Sequence, residues 1–188
     1  MELLSKFEIE GLSPLHHGYP AWPGGGPWLH LYRSGASWTV LTSGLSDGNE
    51  YPYELFLDSA DEIEPDDFGS SWQANLIYET GRIIPNVPGL KERLEENKFL
   101  TLQVHMDGAP DEWSLPHEDG NIGLFLTPDD SSVSALLPNG KALNVKLMRP
   151  EELVFCLENG MEGRLQLAGH YKAQGGALTS GMDRESVV

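Results

Sequence analysis

Two short runs decide the fold class: Trp28-Leu29-His30-Leu31-Tyr32 and Trp38-Thr39-Val40-Leu41-Thr42, separated by a turn at Ser34-Gly35-Ala36. Aromatic and β-branched residues fill both runs, as they fill half-buried pleated strands. Downstream, Tyr51-Pro52-Tyr53-Glu54-Leu55-Phe56-Leu57-Asp58 reads as a third strand. At period two, Tyr53, Leu55 and Leu57 share one face, and Glu54 and Phe56 share the other. Upstream the texture differs. Residues 11–27 hold Tyr19-Pro20-Ala21-Trp22-Pro23-Gly24-Gly25-Gly26-Pro27. Proline lacks a donor and glycine has a high backbone entropy, so neither a helix nor a central strand fits. Residues 1–27 are therefore expected to form an arm that packs its aromatics on the body, which spans residues 28–188.

Further along, the period changes. Asp66 to Arg82 carries Trp72, Leu76, Ile77 and Thr80 at helical spacing behind an acidic start. Leu90 to Asn97 predicts a short charged helix, opened by Val87-Pro88-Gly89. Leu100 to Met106 and Asn121 to Leu126 read as strands. Val133 to Leu137 and Ala142 to Met148 flank Pro138-Asn139-Gly140, which predicts a hairpin because Asn-Gly tolerates positive φ. Pro150-Glu151-Glu152-Leu153 opens a helix whose Leu153, Leu157 and Met161 are expected to face the core. Residues 173–188 form a Gly-rich tail. Strands dominate the ends and helices the middle, which predicts an α+β domain with a mixed or largely antiparallel sheet.

The chain has 188 residues, suiting one domain of roughly 100–200 residues. Twelve Lys and Arg against 29 Asp and Glu give a formal net charge of −17. This argues against nucleic-acid binding, which requires cationic side chains to displace counterions, and against docking on anionic lipid. Disorder is excluded because 39% of the chain is hydrophobic, with 5 Trp, 6 Tyr and 6 Phe. The single cysteine, Cys156, closes no intrachain disulfide. With no signal-peptide pattern at Met1-Glu2-Leu3-Leu4-Ser5-Lys6 and no apolar run of about 18 residues, a cytoplasmic protein off the membrane is expected.

No catalytic constellation stands out. Gly24-Gly25-Gly26 is followed by Pro27 and Trp28, where a phosphate loop needs Gly-Lys-Ser/Thr. His16, His17, His30, His105, His117 and His170 lack the spacing that places two ligands on one helix face. The pairs Asp66-Asp67, Glu95-Glu96, Asp129-Asp130 and Glu151-Glu152 could supply two carboxylates for glycoside hydrolysis, but each sits where a helix start or turn wants acid anyway. Ser43-Gly44-Leu45-Ser46-Asp47-Gly48 is no nucleophile elbow, and Cys156 between Phe155 and Leu157 reads as a buried small hydrophobe. No cofactor is expected. Charge remains: Asp58, Asp61, Glu62, Glu64, Asp66 and Asp67 crowd one window, and Asp107, Asp111, Glu112, Glu118 and Asp119 surround Trp113. Carboxylates around an aromatic anchor suit capture of a basic partner.

Several segments together resemble the Suppressor-of-fused (SUFU) domain family. Trp38 to Asp47 is similar to that family's aromatic strand running into Thr/Ser-x-Gly-Leu-Ser-Asp, and Tyr53-Glu54-Leu55-Phe56-Leu57 to its following strand. Gly140 to Leu147 with Arg149-Pro150-Glu151-Glu152-Leu153 resembles its late strand and helix, and Gly175 to Ser186 its closing Gly-Gly element, with Gly181 where Asp often stands. The resemblance runs from about residue 28 to the C-terminus. It implies an α+β binding module without catalysis or cofactor, similar to stand-alone bacterial members considered immunity proteins of polymorphic toxin systems. The expected function is thus a non-enzymatic antitoxin that meets a basic cognate toxin through Asp58, Asp61, Glu62, Glu64, Asp66, Asp67 and Trp113. The alternatives are a hydrolase or metal enzyme built on the histidines and acidic pairs, and an oligomeric scaffold, with homodimerisation through the arm.

Overall fold

The computed structural model describes residues 13–20, 28–34, 36–46, 51–107, 109–116, 118, 120–129, 133–134, 137, 140–174 and 178–188. Seven strands form one mixed sheet, in the order β1-β2-β3-β4-β7-β6-β5. They are β1 (Ser13–Pro20), β2 (Trp28–Ser34), β3 (Ser37–Ser43), β4 (Glu54–Ser59), β5 (Leu100–His105), β6 (Asn121–Asp129) and β7 (Ala142–Leu147). An antiparallel meander, β1 to β4, meets a second antiparallel set, β5-β6-β7, along the parallel pair β4–β7. The chain reaches the far edge through a 3-10 turn (Pro65–Ser70), α1 (Trp72–Ile83) and α2 (Leu90–Asn97). The α+β class and the mixed sheet are those the sequence predicts.

The hairpin β2–β3 closes between Ser34 and Ser37, in register with Leu31 opposite Val40. One face of the sheet, bearing Val40, Leu55, Leu57, Leu124, Leu126 and Val145, packs with Leu76 and Ile77 of α1 and Leu94 of α2. The opposite face divides into two clusters. Tyr32, Leu41 and Phe56 lie with Val133 and Leu137. Phe99, Phe125 and Met148 lie with the last helical segment, α3 (Pro150–Ala173). Both faces of β4 and β7 are therefore buried.

Four expectations need correction. Part of the stretch read as an arm, residues 13–20, is edge strand β1 in irregular antiparallel register with β2. An edge position spares Pro14 and Pro20 the ladder donors they lack; residues 21–27, including the glycine run, lie outside the described residues. The helix expected from Asp66 begins only at Trp72, because Ser71 caps it by accepting the Ala74 N–H, and the acidic stretch before it is a 3-10 turn. The hairpin between residues 133–137 and β7 does not form. β7 already pairs with β6 and β4, so Val133 and Leu137 serve instead as an apolar cover over β2–β4. Gly140 still turns with φ of 63° and donates to the Leu137 carbonyl, while Pro138 and Asn139 lie outside the described residues. Finally, Leu153 is buried but Leu157 and Met161 are 55% and 50% exposed.

The reason is Gly160. Its φ of 59° and ψ of −134° break α3 into limbs 150–159 and 161–173. An unbroken helix, rising 1.5 Å per residue, would hold residues 152 and 171 about 28 Å apart. The Tyr171 hydroxyl instead donates to Glu152 at 2.7 Å, so the chain doubles back into a helical hairpin. At Gly163 a Cβ would stand 3.0 Å from the Phe155 carbonyl oxygen, which marks how closely the limbs approach. Met161 lies past the bend and no longer continues the Leu153 stripe, and Leu157 lies exposed near the end of the first limb, just before it.

Candidate functional site

Two carboxylates are locked into the fold. Glu54, at the start of β4, accepts from the Thr42 hydroxyl at 2.6 Å, the N–H groups of Gly44, Leu45 and Ser46, and the Ser46 hydroxyl. The Ser43-Gly44-Leu45-Ser46 loop thus wraps a buried anion; Asp47 lies outside the described residues. Glu152 is fully buried on the first limb of α3 and takes both terminal nitrogens of Arg184, the Tyr171 hydroxyl, and the N–H groups of Arg149 and Val187. Burial alone raises its pKa, but the Arg184 fork, the Arg149 N–H and the Tyr171 hydroxyl outweigh it and hold Glu152 below the usual carboxylate range.

This pair sits in a nest of cations and rings. Arg149 and Arg184 lie over the Trp113 ring at 4.7 and 5.8 Å, and Lys146 Nζ lies 4.9 Å over Tyr171 while donating to the Thr179 carbonyl. Lys146 is 3% exposed. Burial, then the Arg184 charge, push its pKa down to about 7 against the pull of Glu152. The nest secures the C-terminal tail, together with Ser180, which bonds to Asp58 and Ala60 across the end of β4. Arg184 is thus one of the residues that pin the tail, through Glu152 and the Leu147 carbonyl.

The sequence-predicted partner residues separate into three groups. Glu62, Glu64, Asp66 and Asp67 are exposed, on the run into and along the 3-10 turn before α1. Asp58 and Asp61 are half-buried and structural. Asp58 accepts from Thr39; burial pushes its carboxyl up, the Thr39 bond pulls it partly back, and the Asp129 charge adds to the rise. Asp61 accepts the Met182 N–H at 2.8 Å. Trp113, expected as an exposed anchor, is 1% exposed beneath two guanidinium groups, so it offers no surface to a partner. Around it, Asp107, Asp111, Glu112 and Glu118 remain exposed, and Asp119 lies outside the described residues.

No group of three or more His, Cys, Asp or Glu placed to hold a metal ion occurs among the described residues. His30 is buried against Ser43, His105 pairs with Asp107, and His170 lies far along α3; His117 lies outside the described residues. The Glu151–Glu152 pair splits, with Glu151 exposed and Glu152 sealed inside. Burial pushes the Cys156 thiol up to about 11, the wrong direction for a thiolate nucleophile. No helix among the described residues is long and apolar enough to cross a membrane.

One feature escapes the sequence reading: the hairpin leaves Leu157, Met161 and Leu165 about half exposed and opens a cleft between its limbs. The signal was present as Asn159-Gly160, a helix-stop pair inside an otherwise helical run. No family model, curated protein or solved structure matches this chain.

Proposed function

We propose that this chain is a non-catalytic, cytoplasmic protein-binding domain of the Suppressor-of-fused type that neutralises a basic partner, a cognate bacterial toxin, through its carboxylate-rich exterior. The observation that carries the reading is the set of exposed carboxylates on a chain of net charge −17. Lys146, Arg149 and Arg184 gather around Glu152, and Arg33 and Arg164 are engaged with Trp38 and Thr101. Glu62, Glu64, Asp66, Asp67, Asp111 and Glu112 face solvent. Of these cations only Lys146 is fully buried, and Glu54 and Glu152 are buried as well, so the exterior keeps the acidic excess of the composition. Such a field steers a cationic partner and raises association rates by roughly 10–1,000-fold. The resemblance of residues 28–188 to SUFU domains supports the same reading.

The test is the association rate with the protein encoded by the neighbouring gene. Converting Glu62, Glu64, Asp66 and Asp67 to Lys is expected to slow association about tenfold or more, and raising salt from about 0.05 to about 0.5 M to do the same. Rates unmoved by both changes overturn the electrostatic reading.

A further inference from the structure

The cleft in the α3 hairpin has a volume of about 790 Å³, within the roughly 300–1,000 Å³ typical of ligand clefts. Val154 and Phe155 of the first limb, Pro116 and the tail residues Val187 and Val188 make it mainly apolar. Glu158 and Glu151, both exposed, line it together with Gln166 and His170 of the second limb; Glu151 also lies 3.8 Å from Arg149, and no Lys or Arg lines the cleft itself. Leu157, Met161 and Leu165 are about half exposed on the same hairpin but do not line the cleft. A mainly apolar cleft of this size marks a candidate interaction site.

We infer that this cleft receives a cationic amphipathic helix of a partner protein, with its apolar stripe against Val154, Phe155 and Val187 and its Lys or Arg side chains on Glu151 and Glu158. Charge complementarity selects this occupant. A second copy of the chain would bring another −17 to an anionic rim. A cationic helix, in contrast, satisfies apolar floor and acidic rim together, as helix-in-groove recognition requires. The inference rests on the reading of the protein as a binder of basic partners, and it locates where the apolar share of that binding occurs.

The probe is a synthetic leucine–lysine peptide with leucines at i, i+3, i+4 and i+7, followed by fluorescence anisotropy and by amide shifts in the labelled protein. The expected result is shifts at Val154, Phe155 and Val187. Glu151→Lys with Glu158→Lys is expected to weaken binding about tenfold or more, and the fourfold reversal at Glu62, Glu64, Asp66 and Asp67 less than about threefold. A peptide with serine for leucine is expected not to bind. Equal binding of the serine peptide, or shifts confined to residues 62–67, overturns the cleft assignment and leaves the basic-partner reading standing. Sedimentation that shows a dimer closed over the cleft also overturns it. No binding of the peptide, with toxin association unmoved by salt, brings down both readings.

Discussion

At the scale of single residues, the interior is more highly charged than its apolar face pattern suggests, and its stability depends on pH in two windows. Glu152, held below its ordinary value, contributes stability that is present above about pH 4.5 and lost as pH falls through its folded value. Lys146 acts in the same direction, but in a higher pH window. Its folded value of about 7 lies below the roughly 10.4 of an unfolded lysine. Between those values the unfolded chain carries the extra proton, so stability attributable to Lys146 rises with pH. Denaturant midpoints of the wild type and Lys146→Met from pH 7 to pH 10 are expected to converge as pH rises, with the variant the more stable at pH 7; parallel profiles would show that Lys146 titrates normally. Glu152→Ala is expected to cost about 3–5 kcal/mol in urea unfolding, because it leaves Arg184 buried without its carboxylate.

At the scale of elements, the decisive position is Gly160. A Cβ there would meet nothing within 4 Å, so only its backbone angles resist substitution. Gly160→Ala is expected to lower stability by about 1–3 kcal/mol. Gly169 also has open space but sits in regular helix, and Gly169→Ala is expected to raise stability by roughly 0.5–1 kcal/mol. Equal effects at the two sites would contradict a hairpin bend at residue 160. Strands β2 to β4 were legible because their neighbours are sequential and aromatic and β-branched residues fill them, as in Trp38-Thr39-Val40-Leu41, whereas β1 read as an arm. Strand β7 shows where legibility ended. Asn144 and Lys146 alternate with Leu143, Val145 and Leu147 as if facing water, yet every position is buried, because the returning hairpin and tail cover that face. The 133–137 segment has strand-like composition, but both edges of β7 were already taken by strands distant in sequence.

At the scale of the whole molecule, charge and fold have separate origins. The carboxylate excess is a property of composition, and its exposure at Glu62, Glu64, Asp66 and Asp67 follows from their place in a turn before a capped helix. Six acidic residues in one window looked equivalent. The fold divides them, since Asp58 bonds to Thr39 and Asp61 holds the tail. Reversing Asp61 is therefore expected to loosen the tail, seen as faster amide exchange at Met182, whereas reversing Glu64 leaves exchange there unchanged. What the sequence alone determined is the α+β class, strands β2 to β4, the second helix and the acidic excess, because each follows from local periodicity or from simple charge. The sealing of Trp113, the pairing of Glu152 with Arg184 and the hairpin cleft were decided only by tertiary structure. Those features join residues as many as 72 positions apart, Pro116 and Val188 across the cleft, and no local pattern encodes which distant groups will meet when the chain closes.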